Sequence, residues 1–480
     1  MKRSPILGHK VRRFRRDRGL TQTQMAKQLG ISPSYLNLIE NNQRGVTVPV
    51  LLKLAQAFDF DLHTFAEDDE ARLVAELIEV FGDPLIEGRE VKEADLRDLA
   101  NRTPEGGRAV LDLYQAYRRA REDAQALAER LSDGSGVQGI EGASAPADEV
   151  TDFIQERGNY FPELEVAAEE LWREARLDPG DPYRHLVDHL AQTYAVEVES
   201  MSAATGGGAV RRYHPLTRRL TLSEILPASS RNFQLAHQIC LLSCTKILDR
   251  LVARAKLSTP ESEALCRVAL ANYFAAAVLM PYQPFWNAAR ELRYDIELLE
   301  HRFGASFEQV CHRLTTLHRA GAKGVPFHMV RVDMAGNISK RFSASGIRFA
   351  RYGGACPLWN VHAAFMTPGS IRVQLSRMPD GPTYFSVART VTKAGGGHRV
   401  PQSYFAIELG CEVSHARELI YADGLSIDNP EAAVPVGVNC RLCERMDCRQ
   451  RAFPPLHHRF NVDVDVRGLS AYVSPSPARE

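Results

Sequence analysis

No run of about 18 apolar residues occurs in this 480-residue chain, so a membrane span is not expected. The basic N-terminus lacks the apolar stretch and small-residue cleavage site of an export signal, which argues against secretion. Collagen, coiled-coil rod and small disulfide scaffold are excluded by size and composition, and no internal repeat is visible. Cysteine is scarce, odd in number at nine, and uneven, with three crowded at Cys440, Cys443 and Cys448. In a chain without an export signal that reads as a metal site in the cytoplasm rather than a disulfide framework. Net charge is also missing, at 59 bases against 59 acids, but the balance hides an asymmetry. Residues 1–60 hold eleven Lys/Arg against three acids, whereas 61–110 hold six against fourteen. A basic head on a neutral protein is the electrostatic footprint of a nucleic-acid module.

What is present is ordinary for a globular protein, at 44% apolar and 25% charged, with a length that suggests about three domains. Residues 5–60 read as short helices, and 66–130 as helices alternating apolar and charged residues. The small-residue stretch 132–146 has no periodicity and makes the best linker. From 150 to 320 the pattern is mostly helical, with a strand-like insert around 195–198 and 219–222. Beyond Val325 the stretches 327–332, 371–375 and 384–388 alternate between Gly and Pro boundaries, as strands do.

The first helix packs through Leu7, Val11 and Phe14 and leaves Arg12, Arg13, Arg15 and Arg16 largely outside. The second opens on a capping box, Thr21-Gln22-Thr23-Gln24, turns Met25, Ala26 and Leu29 inward, and stops at Gly30. Ser32 caps the third, with Pro33 at its first position. There Leu36 and Ile39 face the core while Ser34, Tyr35 and Asn37 point away. A fourth helix starts at Val48 with Leu51, Leu52, Ala55 and Phe58 as its stripe. This is helix-turn-helix geometry, and over about 60 residues it closely resembles the phage-repressor-like (Cro/cI, Xre) family. The resemblance implies that Ser34, Tyr35 and Asn37 reach base edges, and that Gln22, Gln43 and Arg44 hold phosphates, with Thr23 and Ser32 beside them.

A second motif lies at Phe233-Gln234-Leu235-Ala236-His237-Gln238-Ile239-Cys240-Leu241-Leu242. Zinc peptidases carry H-E-x-x-H, with two His for the metal and Glu as general base. Here His237 keeps the first place, but Gln238 stands at the base and Leu241 at the second His. The downstream 271–281 helix looks like the third-ligand helix of the ImmA/IrrE metallopeptidases, whose Glu falls at Leu270. Gln takes no proton at neutral pH and Leu binds no metal, so no enzyme activity is expected by this route. His237, Cys240 and Cys244 are then core residues, a different zinc site, or the wall of a reused effector pocket.

Cys440-Arg441-Leu442-Cys443-Glu444-Arg445-Met446-Asp447-Cys448 is C-x2-C-x4-C, three ligands where a closed metal site takes four. Cys356, His457, His458 and Cys411 are candidates for the fourth, with Cys356-Pro357 favoured because it follows a Gly-Gly turn. Arg441, Arg445, Arg449 and Arg451 would offset thiolate charge. Spacing alone leaves zinc and an iron–sulfur cluster both open.

Taken together, these parts resemble the short-chain fatty acyl transcriptional regulators, which include bacterial propionate and acetate metabolism regulators. The stretches 353–362 and 439–448 look like that family's signatures. The resemblance implies a multidomain chain: an all-α helix-turn-helix domain at 1–65, a helical connector and dimerisation segment at 66–130 and a linker at 131–149. A mainly α, zincin-like domain follows at 150–325, and an α+β C-terminal effector-sensing domain with a four-Cys metal site at 326–480. It implies a cytoplasmic homodimer on a double-stranded DNA operator, with a short-chain acyl-CoA effector and a 4Fe-4S cluster held by Cys356, Cys440, Cys443 and Cys448. For the effector, Lys393 and Arg399 could wrap a phosphate, though the Gly-rich stretch between them reads first as a hairpin turn. Tyr273, Phe274 and Tyr282 could line an acyl slot, with core packing the plainer reading. Two rival functions remain: an iron–sulfur redox-sensing repressor, and a zinc-dependent protease that cleaves a repressor.

Overall fold

In a computed structural model, caps and apolar stripes divide the start of the chain into four helices: α1 (Gly8–Asp17), α2 (Gln22–Leu29), α3 (Pro33–Glu40) and α4 (Val48–Phe58). The structure describes residues 8–40, 43–44, 46, 48–58, 69–83, 86, 91–132, 146–178, 180–202, 208–349, 355–393, 400–440, 443–445 and 447–453. Leu7, Gly353, Gly354, Arg399, Arg441, His457 and His458, and the side chains of Arg13, Leu51, Leu52 and Ala55, lie outside these. Thr21 accepts from the Gln24 amide and Gln24 returns the bond, closing the capping box, and Gly30 takes the left-handed turn at φ 60°. Val11, Met25, Leu29, Leu36, Ile39, Val50, Leu54 and Phe58 form the core. Arg15 corrects the expectation of a basic outer face. It turns inward to the buried Glu40, because a carboxylate on the core side of α3 needs a counter-charge.

Residues 1–138 form one compact unit and 139–480 another. The first also holds α5 (Asp69–Phe81), α6 (Glu93–Arg102) and α7 (Pro104–Ser132). Leu73, Leu77, Leu96 and Leu111 are buried among them. Gly107 lets α7 approach α5 closely, since a Cβ there would lie 3.2 Å from Leu73. Tyr114 donates to Asp83 at 2.7 Å.

The second unit begins with α8 (Pro146–Glu156), α9 (Pro162–Glu174) and α10 (Pro182–Tyr194). A three-stranded sheet follows, β1 (Glu197–Met201), β2 (Arg211–His214) and β3 (Arg219–Ser223), in the order β1-β3-β2. Six helices come next: α11 (Ala228–Ser243), α12 (Thr245–Ala255), α13 (Pro260–Leu279), α14 (Tyr282–Glu291), α15 (Ile296–Phe303) and α16 (Phe307–Leu314). Among the described residues, α13 alone is long and apolar enough to cross a membrane; its apolar residues pack against α8, α9, α11 and α12 as a core helix.

A six-stranded sheet closes the fold: β4 (His328–Asp333), β5 (Ile338–Ser343), β6 (Arg372–Arg377), β7 (Thr383–Lys393), β8 (Ser403–Glu412) and β9 (Val434–Pro435), ordered β5-β4-β8-β7-β6-β9. β7 and β8 pair antiparallel up to Lys393 and Ser403, and the Gly-rich stretch 394–399, read as a hairpin turn, lies outside the described residues. One sheet face, with Met329, Val387, Ile407 and Leu409, shares a core with α14, α15 and α16. That core runs from Ala276 to Ala433 across the expected boundary at 325. The other face, with Val330, Ala388 and Ala406, is covered by the short α17 (Asn360–Ala363), Trp359 and Val436. A buried ion pair ties the helices together. Arg313 donates to both Glu165 oxygens at 2.6 and 2.9 Å and to the Met280 carbonyl, while the Tyr273 hydroxyl donates to Glu165 at 2.6 Å.

Candidate nucleic-acid interface and effector region

On α3, Ser34 and Asn37 are exposed one turn apart, while Tyr35 is half-buried with the Arg44 guanidinium 5.9 Å above its ring. Ser32 is occupied as the cap, accepting the Tyr35 amide at 3.1 Å. Thr23 is exposed on α2. Gln22 and Asn37 are brought together, with Gln22 Nε2 donating to Asn37 Oδ1 at 3.2 Å and to Glu40 at 2.8 Å. Glu40 in turn accepts Arg15 in a two-pronged pair at 2.6 and 3.0 Å. Burial alone would raise the Glu40 pKa, but the bonds from Arg15 and Gln22 hold it below the usual carboxylate range. The result is a fixed base beneath the exposed face: Arg15 orients Glu40, Glu40 orients Gln22, and Gln22 restrains Asn37. Gln43 and Arg44 are exposed after α3, both amides donating to the Leu38 carbonyl.

In the peptidase-like region, His237 and Gln238 are buried on α11, and Leu270 is buried on α13. His237 Nδ1 lies 2.5 Å from the Arg211 guanidinium of β2, and the ring also bonds the Val268 carbonyl. Burial first, then the Arg211 charge, pulls its pKa to about 4. The ring is therefore neutral, with one nitrogen accepting from a cation and the other donating to a carbonyl. The Arg211 guanidinium stands beside the ring, so a metal ion on that nitrogen would have to displace it. Cys240 and Cys244 are buried beside each other, and their mutual hydrogen bond raises the first thiol's pKa and lowers the second's.

At the cysteine loop, the Cys356 amide donates to the Val438 carbonyl at 3.1 Å, and the Leu358 and Gly437 amides point at its sulfur. Gly437 lies close against Cys443, since a Cβ there would be 3.0 Å from Cys443 Sγ and would crowd it. Cys356 and Cys443 thus flank one glycine, and Cys440 Sγ accepts the Ala452 amide at 3.5 Å. Buried thiols that receive amide hydrogens and approach bare backbone fit thiolate ligands. Among the described residues, however, no three His, Cys, Asp or Glu side chains stand close enough together to hold a metal ion as placed. Cys411 is buried in the core beside Phe385 and Leu419, on the opposite sheet face from Cys356. Arg445 and Arg451 donate to backbone carbonyls of Val436, Arg377, Cys440, Cys443 and Arg445, which braces the loop and keeps both cations within it.

The expected acyl-slot aromatics are core packing. Tyr273 is spent on Glu165, Tyr282 donates to the Ala322 carbonyl and is fully buried, and Phe274 is 1% exposed. A surface cleft of about 750 Å³ lies elsewhere, lined by Arg293, Arg417 and 422–429.

Comparison with known proteins fits these parts. The helix-turn-helix family matches residues 11–65, the IrrE N-terminal-like domain 191–315, and the family described as short-chain fatty acyl coenzyme A regulator, C-terminal, 316–472. The HTH-type transcriptional regulator PrpR of Mycobacterium tuberculosis is 41% identical over 97% of this chain and 95% of its own. The chain belongs to the short-chain fatty acyl-CoA regulator family. The propionyl-CoA carboxylase regulator of Cereibacter sphaeroides is 42% identical over 97% of this regulator and 98% of its own length. A solved structure described as a Mycobacterium tuberculosis transcriptional regulator shares 43% identity at a TM-score of 0.66, covering 68% of this chain and 99% of that one.

Sequence reasoning missed Arg15, Glu40 and Arg211 in this regulator. Glu40 carried a legible signal: it sits four residues after Leu36 on the inward face, where a charge requires a partner. Arg211 carried none, because only the fold of β2 against α11 brings it to His237.

Proposed function

We propose that this regulator binds a pseudo-palindromic operator in bacterial cytoplasm as a homodimer, without catalysis of its own, and that a short-chain acyl-CoA changes its DNA affinity. The observation that carries the DNA reading is the exposed Ser34 and Asn37 face of α3 on its braced base. The acyl-CoA reading rests on the family and on the name of the Cereibacter relative. The effector would shift the regulator between DNA-competent and DNA-incompetent states by binding one of them better. Ser34, Tyr35 and Asn37 would read bases in the major groove, while Gln43 and Arg44 would fix register on phosphates; Gln22, whose side-chain N–H groups are spent on Asn37 and Glu40, would position Asn37.

The dimer would form along α7. Gly106, Val110, Leu113, Tyr117, Ala120, Ala124, Leu127 and Leu131 recur at alternating spacings of three and four, a heptad seam. It is separate from the buried stripe of Gly107, Leu111 and Tyr114, and Leu113 on it is 72% exposed. Cys356, Cys440, Cys443 and Cys448 would hold a 4Fe-4S cluster or, alternatively, zinc. Either would cross-link the loop, and the cluster would add one-electron redox chemistry.

Anaerobic purification with metal analysis, followed by calorimetry with acetyl-, propionyl- and butyryl-CoA in the presence and absence of operator, tests the reading. Saturable heat and a changed operator affinity are expected. No heat with any of the three, together with operator affinity that follows cluster oxidation, would replace it with the redox-sensor reading.

A further inference from the structure

Three cations converge on one carboxylate where α16 meets the six-stranded sheet. Glu308 Oε1 accepts Arg331 Nη1 of β4 at 2.8 Å and Lys340 Nζ of β5 at 3.0 Å, and Lys393 Nζ at the end of β7 is 3.4 Å from Oε2. His312 is one turn further along α16, its Nε2 3.3 Å from Lys340 Nζ. Burial and the neighbouring cations, against the opposing pull of Glu308, hold His312 down to about 3, so the imidazole is neutral. The cluster therefore carries three positive charges and one negative. The nearby acids are engaged elsewhere, Glu297 and Glu300 with Arg389, and Asp148 with Arg341. Lys340 is held below its ordinary pKa by burial and by Arg331 and Lys393, against the attraction of Glu308.

The arrangement has a floor and two arms. Arg331 and Glu308 are 13% and 14% exposed, and Arg331 is fixed further by Ser339 Oγ at 2.9 Å and by the Phe405 ring at 4.6 Å. Lys340 and Lys393 keep 41% and 54% of their side-chain surface, so both side chains lie at the surface beside that floor. A structural ion-pair network gains most when its charges balance, and this one leaves two cations over. A pre-positioned guanidinium with two ammonium groups sharing one carboxylate suits an anion of two or more charges.

We infer that Arg331, Lys340 and Lys393 form a binding site for a phosphate-bearing anion and, resting on the acyl-CoA reading above, that it receives phosphates of the effector's coenzyme A moiety. Bound there, the anion would share with Glu308 the cations of three strands, a route by which effector binding changes how α16 is held on the sheet. The test uses the full-length regulator, titrated calorimetrically with pyrophosphate and with propionyl-CoA, as wild type, as Lys340→Gln/Lys393→Gln and as Lys340→Arg/Lys393→Arg. Circular dichroism and thermal midpoint check that each variant is folded. The Gln pair should weaken both ligands by about tenfold or more, and the Arg pair should restore affinity to within about threefold. Propionyl-CoA binding that is tight in wild type and unchanged in the Gln pair overturns the site and leaves the acyl-CoA reading intact. Pyrophosphate binding that the Gln pair abolishes, with no propionyl-CoA binding by wild type, keeps the anion site and overturns its assignment to coenzyme A. Failure of wild type to bind either ligand overturns both.

Discussion

Two residues show how local electrostatics sets testable behaviour. Asn37 is exposed but held by Gln22, so it is ordered before DNA arrives. If it reads a base edge, Asn37→Ala should cost about 1–3 kcal/mol on the operator and little on random DNA. Equal losses on both in a gel-shift titration would make it a positioning contact. Glu408 is different in kind. It is fully buried on β8, accepts from Ser386 and the Val361 amide, and its pKa is pushed up to about 7 by burial. A carboxyl whose pKa rises on folding is a stability contribution lost with rising pH: the unfolded chain ionises from about 4.5 while the folded one does not until about 7. Glu408→Gln removes that dependence, so its stability advantage over wild type should grow by about 2–3 kcal/mol between pH 5 and pH 8. Denaturant melts at the two pH values that move wild type and variant in parallel would show that Glu408 is ionised in the fold.

Among the elements, α7 carries two apolar stripes where a helix in a three-helix bundle needs one. The inner stripe is spent on α5 and α6, and the outer one follows a 3.5-residue repeat, which matches a second helix wrapped around it. If the proposed dimer forms there, Leu113→Glu should leave the fold unchanged, because the side chain is exposed, yet raise the dimer dissociation constant by about tenfold or more. Sedimentation equilibrium giving an unaltered dimer would reject α7 as the seam. Helix α11 teaches the opposite lesson: it lies within the IrrE-like match but carries Gln238 and Leu241 where a zinc peptidase has its base and second histidine. Restoring Glu at 238 and His at 241 should create no zinc-dependent cleavage of peptide substrates, since Leu270 still supplies no third ligand and Arg211 sits on His237. Metal-dependent cleavage by the unaltered protein, abolished by His237→Ala, would contradict this.

For the whole molecule, the C-terminal loop is held by contacts far apart in sequence. Cys356 bonds Val438, Trp359 donates to the Gly437 carbonyl at 3.0 Å, and the sheet edge β9 leads straight into that segment. If four thiolates close a metal site there, binding free energy becomes folding free energy for the region. Cys443→Ser should then reduce metal content and speed proteolysis within residues 355–453, while DNA binding by the N-terminal unit persists. An unchanged metal content after Cys356→Ser, with loss after His457→Ala, would move the fourth ligand into the terminal segment. An iron–sulfur centre would give a brown anaerobic preparation bleached by oxygen, and zinc a colourless one.

The sequence by itself determined the reader and the departure of residues 237–241 from the zinc-peptidase motif. Caps at Thr21, Gly30 and Ser32 act within a few residues, so α2 and α3 are legible locally, and Gln238, Leu241 and Leu270 are wrong residue types wherever they fall. The tertiary structure alone decided what depends on distant partners. β8 has six consecutive buried residues from Ala406 to Cys411, so the alternation that marks a half-buried strand is absent, and β5 is an edge strand with only Phe342 buried. Tyr273 and Tyr282 look identical in sequence whether they line a slot or fill a core; Glu165, 108 residues from Tyr273, and the Ala322 carbonyl settle it. Arg331, Lys340 and Lys393 are separate surface charges in the sequence, and only strand pairing and the docking of α16 gather them around Glu308. Short-range signals survive in one dimension, and charge balance in a cluster is a property of three.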